Sequence, residues 1–436
     1  MKYNKITILI ALLAIVSGFA QEKQKLSLKD AISIAITKSD QTTMANLKAS
    51  TAKLEMETIK NNQYPTFKVS GQYMRLTNAD VSSSFGSGSS GKGIEISQLM
   101  LGQANASMPL FSGFKLKNTI EASESMYKAE SSNSSHAKEE IGLYVVELFA
   151  KLYQSQEMIE LFKENLKSAQ QRTKDFSGMV DNGLMARNDL LKAQLQESNV
   201  QLSMDNAQKN FNIINYQLVT LLKLPEGTVV DIDIEAVKSD MLLNKSTSVE
   251  AKRNDLEALT FQQKAAESGV KASQSGYYPS ISLMGGYIAF DLKDVMTVTN
   301  AMNFGVGVSY DLSNIFKNGK EVKLAKSKAE QAKTAVSIMN DKIKEEVQQA
   351  QENYNLSEKQ NAVYKQAVEQ ATENYRIVKD KYDNSLSTTN DLLEADTQQL
   401  QTKINLALSQ ADIALKYYQL QFASGKLINS FNLTQK

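Results

Sequence analysis

The sequence predicts a mainly α protein with membrane-type β-structure, built as a tandem repeat, and three observations carry that prediction. Proline is nearly absent: among 436 residues it stands only at Pro65, Pro109, Pro225 and Pro279, leaving 110–224 and 280–436 without any. Proline inside a helix costs ~3 kcal/mol or more, so those stretches are free to run as very long helices. Second, DNGLMARNDLLKAQLQ at 181–196 returns as DNSLSTTNDLLEADTQ at 383–398, an ungapped offset of 202 with nine of sixteen positions identical. A repeat of this kind means two similar halves. Third, apolar residues recur with a period of two in some segments and of 3.5 in others, the marks of strands and of coiled-coil helices.

Taken in order, the chain opens as a secretory signal over 1–20. Lys2 and Lys5 precede an apolar run from Ile6 to Val16, and Gly18-Phe19-Ala20 forms a small-residue cleavage site before Gln21. That run is shorter than the ~20 residues a bilayer-spanning helix needs. An uncleaved anchor is the competing reading. No later segment is apolar for long enough to span as a helix, so a mature chain that crosses a membrane does so with strands.

The first repeat, 21–225, is expected to hold strands at about 65–78 and 95–111 and long helices at about 113–180 and 188–224. Phe67, Val69, Gly71 and Tyr73 alternate with Lys68, Ser70 and Gln72. The intervening GSGSSGKG (86–93) ends in Gly93 where a phosphate-binding loop needs Ser or Thr, and it opens no helix, so it reads as a surface loop. Ile141, Val145, Leu148, Leu152, Ile159, Phe162 and Leu166 supply a helical stripe. Residues 226–245 form a linker or equatorial segment.

The second repeat, 246–425, carries expected strands at about 279–291 and 301–312, helices at about 317–383 and 390–424, and a tail at 426–436. Tyr278-Pro279 repeats Tyr64-Pro65 at the start of a strand. Met302, Phe304, Val306, Val308, Tyr310 and Leu312 alternate strictly with Asn303, Gly305, Gly307, Ser309 and Asp311. Such segments, apolar on one side and polar on the other, mark transmembrane β-barrel strands. The heptad stripe Val322, Ala325, Ala329, Ala332, Val336, Met339, Ile343 shifts by four residues and resumes as Tyr364, Val368, Ala371, Tyr375, Val378, Tyr382. It predicts left-handed coiled-coil packing. Four strands per chain cannot close a barrel, and an open edge in lipid leaves backbone groups unpaired. Closure therefore needs several chains: two copies would give eight strands, three twelve and four sixteen.

Composition excludes several functions. With 49 basic and 48 acidic residues the net charge is +1, which offers nothing to nucleic acid. The absence of cysteine removes disulfides, thiolate metal sites and a cysteine nucleophile. His136, the only histidine, cannot build a Ser-His-Asp arrangement or a multi-histidine metal centre alone and reads as a surface helix residue. Glu345 and Glu346 among Lys342 and Lys344 read as a solvated face. No enzyme, cofactor or metal site is expected.

LSLKDAISIAITKS (26–39), MPLFSGFKLKN (108–118), RNDLEALTFQQKAAESGVKASQSGYYPSISLMGGY (253–287) and the paired turns together resemble the TolC outer-membrane efflux family. The resemblance implies a homotrimer with a 12-stranded outer-membrane barrel continuous with a helical tunnel in the periplasm. It implies the exit duct of a tripartite efflux pump or type I secretion system, working with a periplasmic adaptor (membrane fusion protein) and an inner-membrane transporter of RND or ABC type. The expected surroundings are outer-membrane lipid and the periplasm. Adaptor-docking tips fall at Gly183, Leu184, Met185, Ala186 and Arg187 and at Ser385, Leu386, Ser387, Thr388 and Thr389. Asp391 and Glu394 match family positions that ring the closed aperture, with Asp189, Lys192 and Tyr382 beside them. A competing reading, compatible with docking, has the turns merely cap the following helices through Asn188 and Asn390. A periplasmic coiled-coil adaptor, which carries one hairpin rather than two, and a purely structural coiled-coil protein are the alternatives.

Overall fold

The computed structural model describes residues 23–81, 94–232, 236–237, 241, 253–293 and 296–433. The signal at 1–20 and the 86–93 loop lie outside the described residues. In chain order the elements are β1 (Lys23–Lys25), α1 (Leu28–Lys38), α2 (Asp40–Asn61), β2 (Thr66–Val81), β3 (Ile94–Ser112), α3 (Lys115–Asp181), α4 (Arg187–Leu222), β4 (Val229–Asp231), α5 (Asn254–Gln274), β5 (Ser280–Leu292), β6 (Met296–Ser309), α6 (Asn314–Asp383), α7 (Thr389–Ala423) and α8 (Leu427–Ser430). Each half thus runs helix, strand, strand, long helix, turn, helix. α3 has 67 residues and α6 has 70, each about 100 Å at ~1.5 Å per residue.

The chain divides into two units, one of Met1–Leu47, Ser132–Leu256 and Met339–Lys436, the other of Lys48–Ser131 and Glu257–Ile338. The second unit holds one antiparallel sheet of order β2-β3-β5-β6, open at β2 and β6. Its register aligns the alternating segments. Val69 faces Ala104, which faces Tyr287, which faces Met302; Met108 faces Leu283, which faces Val306. Lys68 faces Asn105, which faces Gly286, which faces Asn303. Because side chains alternate between faces, one face carries Val69, Tyr73, Met108, Leu283, Tyr287 and Val306, with Arg75, Gln98 and Asp291 toward its far end, and the other carries Lys68, Gln103, Asn105 and Asn303 beside Leu101, Ile288 and Phe290. Pro109 lies beyond the last β2 pair, Thr66 with Ser107, and beside a register shift in the β3–β5 ladder, a place that suits a residue with no N–H to donate. Strand β6 starts at Met296, ahead of the alternating segment at 301, because Leu292 pairs with Met296 and Phe290 with Val298.

The first unit gathers its core from many elements. Ile32 and Ala35 of α1, Val145, Leu148 and Leu152 of α3, Leu218 and Leu222 of α4 and Tyr418 of α7 are buried together. Burying a Leu or Ile side chain contributes roughly 1.5–3 kcal/mol. Residues 426–433 are not a tail: Leu427, Ile428 and Phe431 are buried in this core. The 226–245 segment likewise adds Val230, Val237 and Met241 to it. β4 pairs in parallel with β1, and Asn215 holds it through Asn215 Oδ1 to the Val230 N–H (2.9 Å) and Asn215 Nδ2 to the Thr228 carbonyl (2.8 Å).

Along α6 the sheltered side chains follow the heptad stripe from Val322 to Ile343, step four residues to Val347, and continue through Tyr354, Ser357, Asn361 and Tyr364 to Tyr382. A four-residue step is a stutter, which locally unwinds a coiled coil. The gap the apolar pattern left is filled by polar residues: Ser357 and Asn361 are buried, and Asn361 Nδ2 donates to Ser409 Oγ of α7 at 2.8 Å. Among the described residues no helix is long and apolar enough to cross a membrane.

Candidate functional site: the two hairpin turns

Both long helices end in the same way. After α3, the Leu184 N–H donates to the Met179 carbonyl (2.8 Å) and the Gly183 N–H to Val180 (3.0 Å); after α6, Leu386 donates to Lys381 (2.8 Å) and Ser385 to Tyr382 (2.9 Å). This is the Schellman closure, which needs a left-handed residue at its fifth position. Gly183 has φ 72° and Ser385 φ 60°. Asn182 and Asn384 add matching side-chain bonds to the Gly178 and Asp380 carbonyls, each 2.7 Å. The turns present Leu184 and Leu386 to solvent, 79% and 77% exposed.

The helices that follow begin differently. α7 opens with a reciprocal capping box: Thr388 Oγ1 accepts from the Asp391 N–H (3.2 Å) and Asp391 Oδ2 accepts from the Thr388 N–H (2.9 Å). Thr388 and Ser387 hydroxyls also donate to Asp391, at 2.8 and 3.0 Å. The N-cap of α4 is Ala186, which has no side-chain cap. The caps are therefore not Asn188 and Asn390: the chain enters helical geometry two residues earlier, leaving both asparagines inside the first turn. The backbone bond from Thr388, then the two hydroxyls, hold the Asp391 carboxyl below its ordinary range, so it is an anion at neutral pH.

Glu394 is exposed one turn on. Lys192 lies 3.4 Å from Asp189 of its own helix. Tyr382 lies against Phe176 of α3, ring centroids 6.0 Å apart. Met185, Arg187 and Ser387 complete the turns, and Thr389 is buried.

Further from the turns stand charges that the pattern of the sequence did not reveal. Arg172 of α3 and Asp396 of α7 form a buried pair at 3.1 Å, with Asn165 Nδ2 donating to Asp396 at 3.4 Å. Arg253 is buried against Asp255 (2.6 Å) and Glu346, and lies over the Phe422 ring. His136 is not a free surface residue: it is mostly buried, 3.6 Å from Glu140 and 3.9 Å from Asp255, with its ring against Phe422. Glu346 likewise leaves the solvated face for Arg253. Apart from Arg253 with Asp255 and His136 with Glu140, these partners are far apart in sequence, and no local signal connects them. Glu139 is buried and accepts the Ile428 N–H at 3.1 Å. Burial pushes its pKa up to about 7 despite the backbone bonds from Ile428 and Leu427.

Among the described residues no group of three or more His, Cys, Asp or Glu could hold a metal ion. The features instead are a sheet with apolar rows on one face, coiled-coil helices and two exposed leucine-tipped turns. A family profile described as outer membrane efflux protein matches residues 33–222 and 246–426, one stretch per repeat. The outer membrane efflux protein BepC of Brucella suis biovar 1 (strain 1330) is 20% identical over 324 residues, 73% of this chain and 70% of that protein. The CmeC outer membrane channel of Campylobacter jejuni superposes with a TM-score of 0.77 at 17% identity, covering 94% of this chain and 90% of that one. VceC of Vibrio cholerae gives 0.75 at 17% identity, covering 93% and 95%. The protein is located in the outer membrane and extends into the periplasm, and the chain belongs to the outer membrane efflux protein family.

Proposed function

We propose that this outer-membrane efflux duct works as a homotrimer whose three sheets close one barrel, with a periplasmic adaptor on the turns and an inner-membrane transporter beyond it. On this reading it is a passage and not a catalyst. The sheet carries the argument: its apolar rows share one face and both edges are open, so the sheet is complete only with neighbours. The helices agree. α6 bears a second, exposed stripe of Leu324, Ile338, Leu356, Val363 and Ile377, which keeps the heptad and makes the same four-residue step as the inner seam. α4 bears an exposed stripe of Leu191, Leu195, Leu202, Ile213 and Tyr216, whereas α7 exposes no large apolar side chain. A head-to-tail contact of the α4 stripe with the α6 stripe of the next copy closes a ring.

The turns supply the periplasmic end. Leu184 and Leu386 offer the adaptor an apolar contact on a rigid turn, and Asp391 with Glu394 supplies carboxylates at the aperture. Two measurements test the reading together. Detergent-extracted protein should have the mass of a trimer and conduct ions in planar bilayers, with cation selectivity falling in the Asp391→Ala, Glu394→Ala channel. Val306→Arg, on the apolar face, should block outer-membrane assembly, at ~2–4 kcal/mol near the bilayer midplane. Gly305→Arg, on the other face with open space around its Cβ, should assemble. A non-conducting monomer, or equal tolerance of arginine at both positions, defeats the proposal.

A further inference from the structure

We propose that α4 and α7 line the tunnel with a matched ladder of uncharged hydrogen-bonding side chains, Gln196, Asn199 and Ser203 beside Gln398, Gln401 and Asn405, so that charge is discriminated at the aperture and not along the wall. The inference rests on the trimeric-duct reading and adds the class of cargo the passage suits: hydrated polar solutes, cations and anions alike.

In α7, Asp391, Glu394, Gln398, Gln401 and Asn405 follow one another at intervals of three and four residues, so they share one side of the helix. In α4 the positions 202 earlier are Asp189, Lys192, Gln196, Asn199 and Ser203. None of these side chains is buried. In both helices charge ends after the second position, and the next three carry only carboxamides or a hydroxyl. Gln401 Nε2 donates to Asn405 Oδ1 at 3.0 Å along α7. Gln196 Nε2 donates to Thr397 Oγ1 of α7 at 3.1 Å, which sets the two rows side by side.

What packs behind the rows fixes their direction. At ~100° per residue, a step of sixteen residues ends about 160° from the starting side of a helix. Sixteen beyond Asn199 is Asn215, whose side chain holds β4 through the Val230 N–H and the Thr228 carbonyl. Sixteen beyond Gln401 is Tyr417, buried in the core that Leu427 and Ile428 of α8 complete. The segments that thicken the wall therefore lie on the sides of α4 and α7 turned away from the ladder. Three copies around one axis keep an open lumen only with those segments outside, and the ladder then faces inward. Apolar side chains there would favour dewetting of a narrow passage. Fixed charges would bias every ion within a Debye length, about 8 Å at physiological salt. Carboxamides, each both donor and acceptor, keep the wall wet and carry no charge.

The chain has no cysteine, so each single-cysteine variant offers charged methanethiosulfonates one target. Asn199→Cys and Gln401→Cys test the ladder, and Asp391→Cys tests the aperture. Gln208→Cys tests the far side of α4: it is exposed and nine residues, about 180°, from Asn199. Full-length channels in planar bilayers receive the reagent from the barrel side, and the reversal potential is read in a salt gradient. Before modification the two ladder variants should match wild type. The sulfonate reagent should then shift both toward cation selectivity and the ammonium reagent toward anion selectivity, with Gln208→Cys unmoved by either. A response at Asp391→Cys with none at Asn199→Cys and Gln401→Cys leaves the duct standing and refutes the ladder. A response at Gln208→Cys alone refutes it too, by turning the rows outward. If wild type itself does not conduct, the duct reading fails. The uncharged wall is read on the Asp391→Ala, Glu394→Ala channel, whose cation preference should vanish. A trimer that conducts and stays cation-selective without both acids leaves the duct standing and overturns the uncharged wall.

Discussion

In the first repeat the chain leaves α3 through Gly183 and enters α4 at Ala186, with no side chain closing the new helix. In the second it leaves α6 through Ser385 and enters α7 behind Thr388 and Asp391, which close it reciprocally. The backbone hydrogen bonds of the two turns agree within about 0.1 Å, yet the chemistry around them does not. The difference extends along the helices. Asp396 is buried on Arg172, but the positions 202 away, Gln194 and Asn374, are both exposed. Glu139 is buried beneath the C-terminal segment, and its counterpart Asp341 is exposed on Lys344. Duplication kept the local geometry, which hydrogen bonds within a few residues enforce. Side-chain charge followed the tertiary surroundings, which differ between the halves.

The largest test of that asymmetry is the buried pair. Asp396→Ala leaves the Arg172 guanidinium without its carboxylate and should cost about 3–5 kcal/mol, read as a lowered denaturation midpoint of the purified protein. Gln194→Ala, at the equivalent exposed position, should stay within ~0.5 kcal/mol. Equal effects would mean that the repeats are energetically symmetric after all. Replacing both charges, as Arg172→Met with Asp396→Leu, should recover most of the loss, because the cost lies in the stranded charge.

Next is Glu139. Its folded pKa, about 7, stands above its ordinary value, so the folded state holds a proton that the unfolded chain releases. The contribution is complete below the unfolded pKa, declines as pH rises, and is lost by about pH 7, a change on the order of 3 kcal/mol. Stability of wild type should therefore fall across that interval relative to Glu139→Gln, which keeps an acceptor for Ile428. Parallel pH profiles for wild type and Glu139→Gln would remove the carboxyl from the account.

These contrasts also mark what the sequence could disclose. The alternation at 302–312 and the heptads at 322–343 are local periods; β6 takes up the first only as far as Ser309, short of the expected end at 312, and α6 carries the second. The four-residue shift was legible, although Ser357 and Asn361, which carry the seam through it, were hidden by being polar. The turns were located by their repeat, but the cap was assigned to Asn390 when Thr388 supplies it, since both are good capping types two residues apart. His136, Glu346 and Leu427 misled for one shared reason. Their partners come from other helices, and a lone polar residue or a chain end gives no sign of what will cover it. The site residues at the turns were readable as candidates, whereas the pairing of Lys192 with Asp189 required coordinates.

A smaller effect distinguishes the caps. Thr388→Ala removes the side-chain half of the capping box and should destabilise by ~1 kcal/mol. Ala186→Thr should gain a similar amount by giving α4 the cap it lacks. Asp391 has its pKa lowered by the bonds it accepts, so its share is present above its ordinary pKa and is lost as pH falls through the depressed one. An Asp391→Asn variant should flatten that acid limb. If Thr388→Ala and Ala186→Thr both prove neutral in thermal melts, the closures differ in appearance only.

The smallest effect isolates the turn residue itself. Ser385 adopts a left-handed conformation that costs an L-residue roughly 1–2 kcal/mol, and Gly183 occupies the same place without that penalty. A glycine at 385 also widens the unfolded ensemble, which returns ~0.4–1 kcal/mol of the gain. Ser385→Gly should therefore stabilise by about 0.5–1 kcal/mol. Gly183→Ser should destabilise by the same amount, because a Cβ built on Gly183 meets nothing within 4 Å and the cost is conformational alone. The comparison is read as two opposite shifts in melting temperature. Should Gly183→Ser destabilise while Ser385→Gly does nothing, the second turn is held by the Thr388–Asp391 closure and not by the residue at its left-handed position. The two turns would then share a backbone for different physical reasons.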